Sequence, residues 1–170
     1  MRLSPDTFAM TATLALLTAL GPLSTDMYLP SLPAIAAFFG TGPAEAQMTL
    51  SAFLFGFAAG QFLHGPLSDQ YGRRPVLLAG LGLFIAATAA CALAPSIEWL
   101  TVARFVQALG ASGPIVLARA VVRDLYEGPR AGRELSRMGS IMGLVPALAP
   151  VLGGVLQALC GWRASFVVAL

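Results

Sequence analysis

The chain has no lysine, a single histidine and only 11% charged residues among 170, with a net charge of +2. So sparse a charge excludes a nucleic-acid-binding surface, which needs a dense basic patch. Its two cysteines, Cys91 and Cys160, lie inside or at the end of apolar runs. That position fits free thiols rather than a disulfide, and no functional role attaches to them. No GxxxxGK(S/T) phosphate loop, no GxSxG elbow and no group of metal-ligating side chains occurs, so an ATP-driven pump, a membrane hydrolase and a metal or other cofactor all lack support. Nor do a nucleophile, a base and an orienting group stand together, which argues against an enzyme. What the chain has in excess is hydrocarbon: 57% of residues are hydrophobic and the mean hydropathy is +0.78. That is too apolar for a soluble domain to hide in one core.

The expected fold is therefore an all-α polytopic bundle embedded in a lipid bilayer. A spanning helix needs about 20 apolar residues, and runs at 8–39, 45–64, 75–94, 98–118 and 138–160 supply five spans, with a sixth begun at 164–170. The first run is followed by further spans rather than by a soluble mature domain, so it is not a signal peptide. Arg73 and Arg74 fall in the second connection, and Arg119, Arg123, Arg130, Arg133 and Arg137 in the fourth, 119–137, while the first and third connections offer only Glu45 and Glu98. By the positive-inside rule the N-terminus and the arginine-bearing connections face the cytoplasm of a cell with the protein in its inner membrane. The first span overshoots a bilayer and carries Pro22, Asp26, Pro30 and Pro33, so it is expected to tilt, kink or project outward. In the second, Ala52, Gly56, Gly60 and His64 recur every fourth residue, a small-residue stripe suited to close helix packing. The lone His64 is read as a packing residue before a proton relay.

Three features could carry chemistry. Asp26 is the acid inside a long apolar stretch; a charge at the bilayer centre costs on the order of 3 kcal/mol, so such a residue either faces a functional cavity or caps a proline-kinked turn at the interface. Arg104 lies roughly 9 Å into the fourth span, with Gln107 on its face, and either tunes a nearby acid or satisfies carbonyls freed by kinked helices. The segment Gly65 to Pro75 brings Asp69, Gly72, Arg73 and Arg74 together. It reads as a tight loop that either latches one conformation or merely fixes topology. The fifth span holds Pro146, Pro150, Gly153 and Gly154, more helix breakers than a plain anchor needs. An internal echo is also present: Gly65, Gly72 and Arg74 recur as Gly154, Gly161 and Arg163 at a constant offset, as an inverted repeat of three helices plus three would give.

Together these pieces resemble the major facilitator superfamily, in particular drug:proton antiporters of the Bcr/CflA type. GPLSDQYGRRPVLL is similar to the signature between helices two and three at Gly65, Leu67, Asp69, Gly72, Arg73 and Arg74, with Gln70 where a basic residue is common. LTVARFVQALGAS resembles the helix-four motif at Arg104, Gln107 and Gly110, and STDMYLPSLPAI the first-helix hallmark that contains Asp26. VPALAPVLGG resembles the antiporter motif at Pro150, Gly153 and Gly154 but has Val145 and Ala149 at usual glycine positions. The resemblance implies a twelve-helix carrier of which this chain is the N-terminal half, a fragment inactive without its C-terminal six helices. It implies an exporter of small amphipathic drugs or metabolites driven by protons, with Asp26 carrying or sensing the proton, Arg104 tuning it and Asp69 with Arg73 gating. A solute:proton symporter of the same fold and a non-transporting receptor or assembly subunit are the alternatives.

Overall fold

The computed structural model describes residues 8–170, and all regular structure among them is helical. The first helix, α1 (Phe8–Asp26), ends at the acid and is followed by a 3-10 turn over Leu29–Ser31 and a short helix α2 (Leu32–Phe39). The run expected as the first span, 8–39, is thus broken rather than merely kinked. Pro22 is accommodated inside α1, whereas Pro30 and Pro33 each start a new element at its first or second position, where a missing N–H costs nothing. Then come α3 (Pro43–Tyr71), α4 (Arg73–Ala92), α5 (Ile97–Leu125), α6 (Gly128–Cys160) and α7 (Ala164–Ala169).

Helices outrun the apolar spans. Gly65, Pro66 and Asp69 belong to α3, so the expected tight loop reduces to Gly72 alone, with α4 starting at the next residue. Gly72 has φ +91° and its N–H closes on Ser68 O at 3.0 Å, a backbone geometry that a side chain would strain. The 119–137 connection is likewise nearly all helix, interrupted at Tyr126 and Glu127, which are extended. Charge ends an apolar run, but it does not end a backbone hydrogen-bond ladder.

Four of the described helices, α3, α4, α5 and α6, are long and apolar enough to cross a membrane. Of these α5 is the pillar: 67% of its apolar stretch is buried, against 17% for α6. The bundle is built inside out relative to a soluble one. Phe55, Phe62, Leu148 and Leu159 point outward, whereas Thr18, Thr49, Thr88, Arg104, Gln107 and Ser112 are fully buried. In hydrocarbon, polar groups must find partners within the protein, and apolar ones lose nothing by facing lipid. The small-residue stripe of α3 lies on α5: a Cβ on Gly56 would come within 2.5 Å of Phe105 O, and one on Gly60 within 3.1 Å of Leu109 O. His64 closes that interface, with Nδ1 2.7 Å from Gly60 O and 3.3 Å from Ser112 Oγ.

Candidate functional site

Arg104 is entirely enclosed, by its own helix α5 and by residues of α1, the break, α3 and α7. Its Nη1 donates to Gln107 Oε1 at 2.7 Å, one turn along α5, and to Ser24 O of α1 at 3.4 Å. The guanidinium carbon lies 4.2 Å from the ring centre of Tyr28, 4.1 Å from that of Phe53 and 5.7 Å from that of Phe166. Ring faces and carbonyl dipoles thus replace the water that a buried cation has lost. The network extends outward. Gln107 Nε2 donates to Thr88 Oγ1 at 2.8 Å, and Thr88 donates to Phe84 O at 2.6 Å. Thr49 Oγ1 spends its hydrogen on Ala46 O at 2.6 Å, so the 2.5 Å bond between Tyr28 and Thr49 has the tyrosine as donor. Nε and Nη2 of Arg104 have no hydrogen-bond partner among the described residues.

Asp26 is near this cage but not in it. Among the described residues no hydrogen bond or ion pair joins it to Arg104; instead it lines a cavity of about 220 Å³ with Gly21, Pro22, Thr25, Phe53, Leu54 and Phe57. Phe53 is common to both places, resting on Arg104 and walling the cavity of Asp26. The break after Asp26 sets this geometry, because the chain turns at Met27 and Tyr28 and so delivers Tyr28 to the cage. On the other side of the break stands α6. A Cβ on Gly153 would meet Met27 O at 2.2 Å and Met27 Cα at 2.7 Å, and Gly154 faces Pro30. Val145 and Ala149, at the positions where the antiporter motif usually has glycine, are buried with Ala19 and Met27. Pro146 and Pro150 are carried within α6 without ending it.

The arginine cluster forms a separate group at the Gly72 end of the bundle. Arg73 Nη1 binds Asp69 Oδ1 at 2.6 Å and Ser68 Oγ at 2.5 Å, and its Nε binds Asp124 Oδ2 of α5 at 3.1 Å. Asp124 and Ser68 escape a reading of the sequence, since nothing in their spacing links them to Arg73; the one available signal is that Asp124 is an acid in an arginine-rich segment. A Cβ on Gly65 would meet nothing within 4 Å, so its presence is not explained by packing. The carboxylates are more than half exposed, and pairs of that kind contribute up to about 1 kcal/mol. A double-mutant cycle of Arg73→Ala and Asp124→Ala, read by thermal unfolding of purified protein, is expected to give a coupling of about 0.5–1 kcal/mol. No group of three metal-ligating side chains is found among the described residues.

The chain is 43% identical over 137 residues to an uncharacterised MFS-type transporter of Bacillus subtilis, covering 81% of this chain and 33% of that protein. It is 42% identical over 167 residues to a chloramphenicol resistance protein of Pseudomonas aeruginosa (94% and 39%). It is 36% identical over 170 residues to a bicyclomycin resistance protein homologue of Haemophilus influenzae (99% and 42%). The chain therefore spans between a third and about two fifths of the length of these relatives. Because the Major Facilitator Superfamily model matches residues 14–170, the chain belongs to the Major Facilitator Superfamily, as a relative of the Bcr/CflA drug-resistance homologues.

Proposed function

We propose that this chain supplies the first six-helix half of a proton-coupled exporter of small amphipathic drugs or metabolites in the inner membrane. The observation that carries the reading is the pairing of a fully buried arginine with a nearby acid that it does not bind: Arg104 is enclosed by rings and carbonyls, and Asp26 lines its own apolar cavity behind Phe53. An acid whose cationic neighbour is held by other partners can load and release a proton as the distance between them changes. The relatives named for resistance to chloramphenicol and bicyclomycin favour drugs as the cargo. In this reading α1 with α2 is the first span and α7 the start of the sixth, giving five full spans. The end bearing Arg73, Arg74 and the arginines of 119–137 faces the cytoplasm together with the N-terminus. A second six-helix half completes the central site, and the Asp69–Arg73–Asp124 cluster gates its cytoplasmic side.

Within the site, Asp26 handles the proton, Arg104 with Gln107 sets its affinity, and Pro146, Pro150, Gly153 and Gly154 let α6 close against the break in the first helix. The departures at Val145 and Ala149 keep a solute:proton symporter as the second reading, since they fill with side chains the face that the antiporter motif leaves bare. The full-length transporter in inverted vesicles distinguishes the two. An exporter releases protons from an acidified lumen when substrate is added and, driven by that pH gradient, accumulates substrate inside; a symporter moves both in the same direction, and a receptor moves neither.

A further inference from the structure

The Gly161 end of the bundle carries an arrangement that the function above does not use. Gly161 has φ +78° and ψ 174°, close to Gly72 at +91° and 155°. Each glycine ends a long helix with its N–H on the carbonyl four residues back, Gly72 on Ser68 and Gly161 on Gln157, both at 3.0 Å. The sequence echo is thus also an echo in backbone geometry. Its side chains differ in kind. Where Arg73 binds carboxylates, Arg163 donates from Nε to Ala92 O at 2.9 Å and from Nη2 to Ala94 O at 3.5 Å, at the C-terminal end of α4. Those carbonyls are left over when a helix ends and carry its negative dipole, so a guanidinium there satisfies both. The same guanidinium covers two rings, Phe38 of α2 at 4.6 Å and Trp162 at 4.4 Å.

From there an aromatic ladder runs inward. Trp162 touches Phe38, Phe39 and Phe166 at 5.5, 5.7 and 6.1 Å, and Phe166 touches Tyr28 at 5.7 Å and flanks Arg104. Trp162 Nε1 is buried without a hydrogen-bond partner among the described residues, so rings and the Arg163 fork hold this turn together. An unpaired buried donor is a cost that a segment with a second arrangement could relieve.

We propose that Trp162 and Arg163 form a second latch, at the end of the half opposite the Asp69–Arg73–Asp124 cluster. It ties the separate segment α2 to the end of α4 and braces the cage of Arg104 through Phe166. α2 is held by the core through Ile35 and Ala36 and follows a break in the chain at Met27 to Ser31, so the latch fixes how its Phe38 end meets α4. Amide hydrogen exchange of purified full-length transporter tests the idea without substrate or proton gradient, so the result stands apart from any failure of the transport reading. Arg163→Gln is expected to speed exchange in 32–39 by about tenfold while leaving peptides of α3 and of the Gly72 end unchanged. Arg163→Lys, which keeps the charge but loses the planar fork, should fall between. Should Arg163→Gln not yield folded protein, Phe38→Leu removes one ring face without touching the carbonyls of α4, and the same local acceleration is expected. Unchanged exchange in 32–39, or acceleration spread equally over α3 and α5, would overturn the proposal.

Discussion

Asp26→Asn in the full-length transporter is expected to bring proton-driven export down to the level of membranes without the protein, while exchange of substrate across the membrane in the absence of a gradient persists. Asp26 lines an apolar cavity beside Phe53 and Phe57, and the amide keeps its size and one acceptor oxygen while removing the titration. Packing should therefore survive and coupling should not. Measured together, substrate-driven proton release and uptake into inverted vesicles separate these two properties. Retained accumulation driven by a pH gradient would mean that another group carries the proton.

The second large effect is structural and lies at the contact between α6 and the break in the first helix. Gly153→Ala puts a methyl where Met27 O, Cα and C would stand 2.2, 2.7 and 2.8 Å away. All three atoms are backbone, so relief requires the break itself to shift. Overpacking in a close-packed interior costs typically 1–3 kcal/mol, and a contact against backbone should reach about 3 kcal/mol. Gly143→Ala is the internal control, since on the same helix its Cβ would meet nothing within 4 Å. There the substitution should be neutral or stabilising by up to about 1 kcal/mol through helix propensity. Thermal unfolding of the two purified variants in the same detergent compares them; equal melting temperatures would show that the Met27 contact carries no load.

Hydropathy is enough to find the four helices long and apolar enough to cross a membrane, because a bilayer imposes a length and an apolar character that few other environments require, but it does not show the break that divides 8–39. Their ends were less legible: Gly65, Pro66 and the arginines of 119–137 look like loop residues, yet α3, α5 and α6 run through most of them. Asp69 and Arg73 meet as their i,i+4 spacing allows. Asp124, however, is 51 residues from Arg73, and Ser24 is 80 from Arg104. Contacts of that kind depend on which helix faces meet, and neither periodicity nor charge count encodes the choice. The aromatic cage escaped for a related reason. Tyr28, Phe53 and Phe166 are unremarkable apolar residues in an apolar chain, and only their shared distance to one guanidinium sets them apart.

Phe53 gives this arrangement a property that neither charged residue has alone. Its ring lies on the guanidinium of Arg104 and its side chain bounds the cavity of Asp26, so what separates the two groups includes hydrocarbon in place of water. The attraction between charges scales inversely with the dielectric between them. By keeping water out, the side chain strengthens the coupling between the two groups, and its size can be tuned by evolution or by design without altering a single ionisable group.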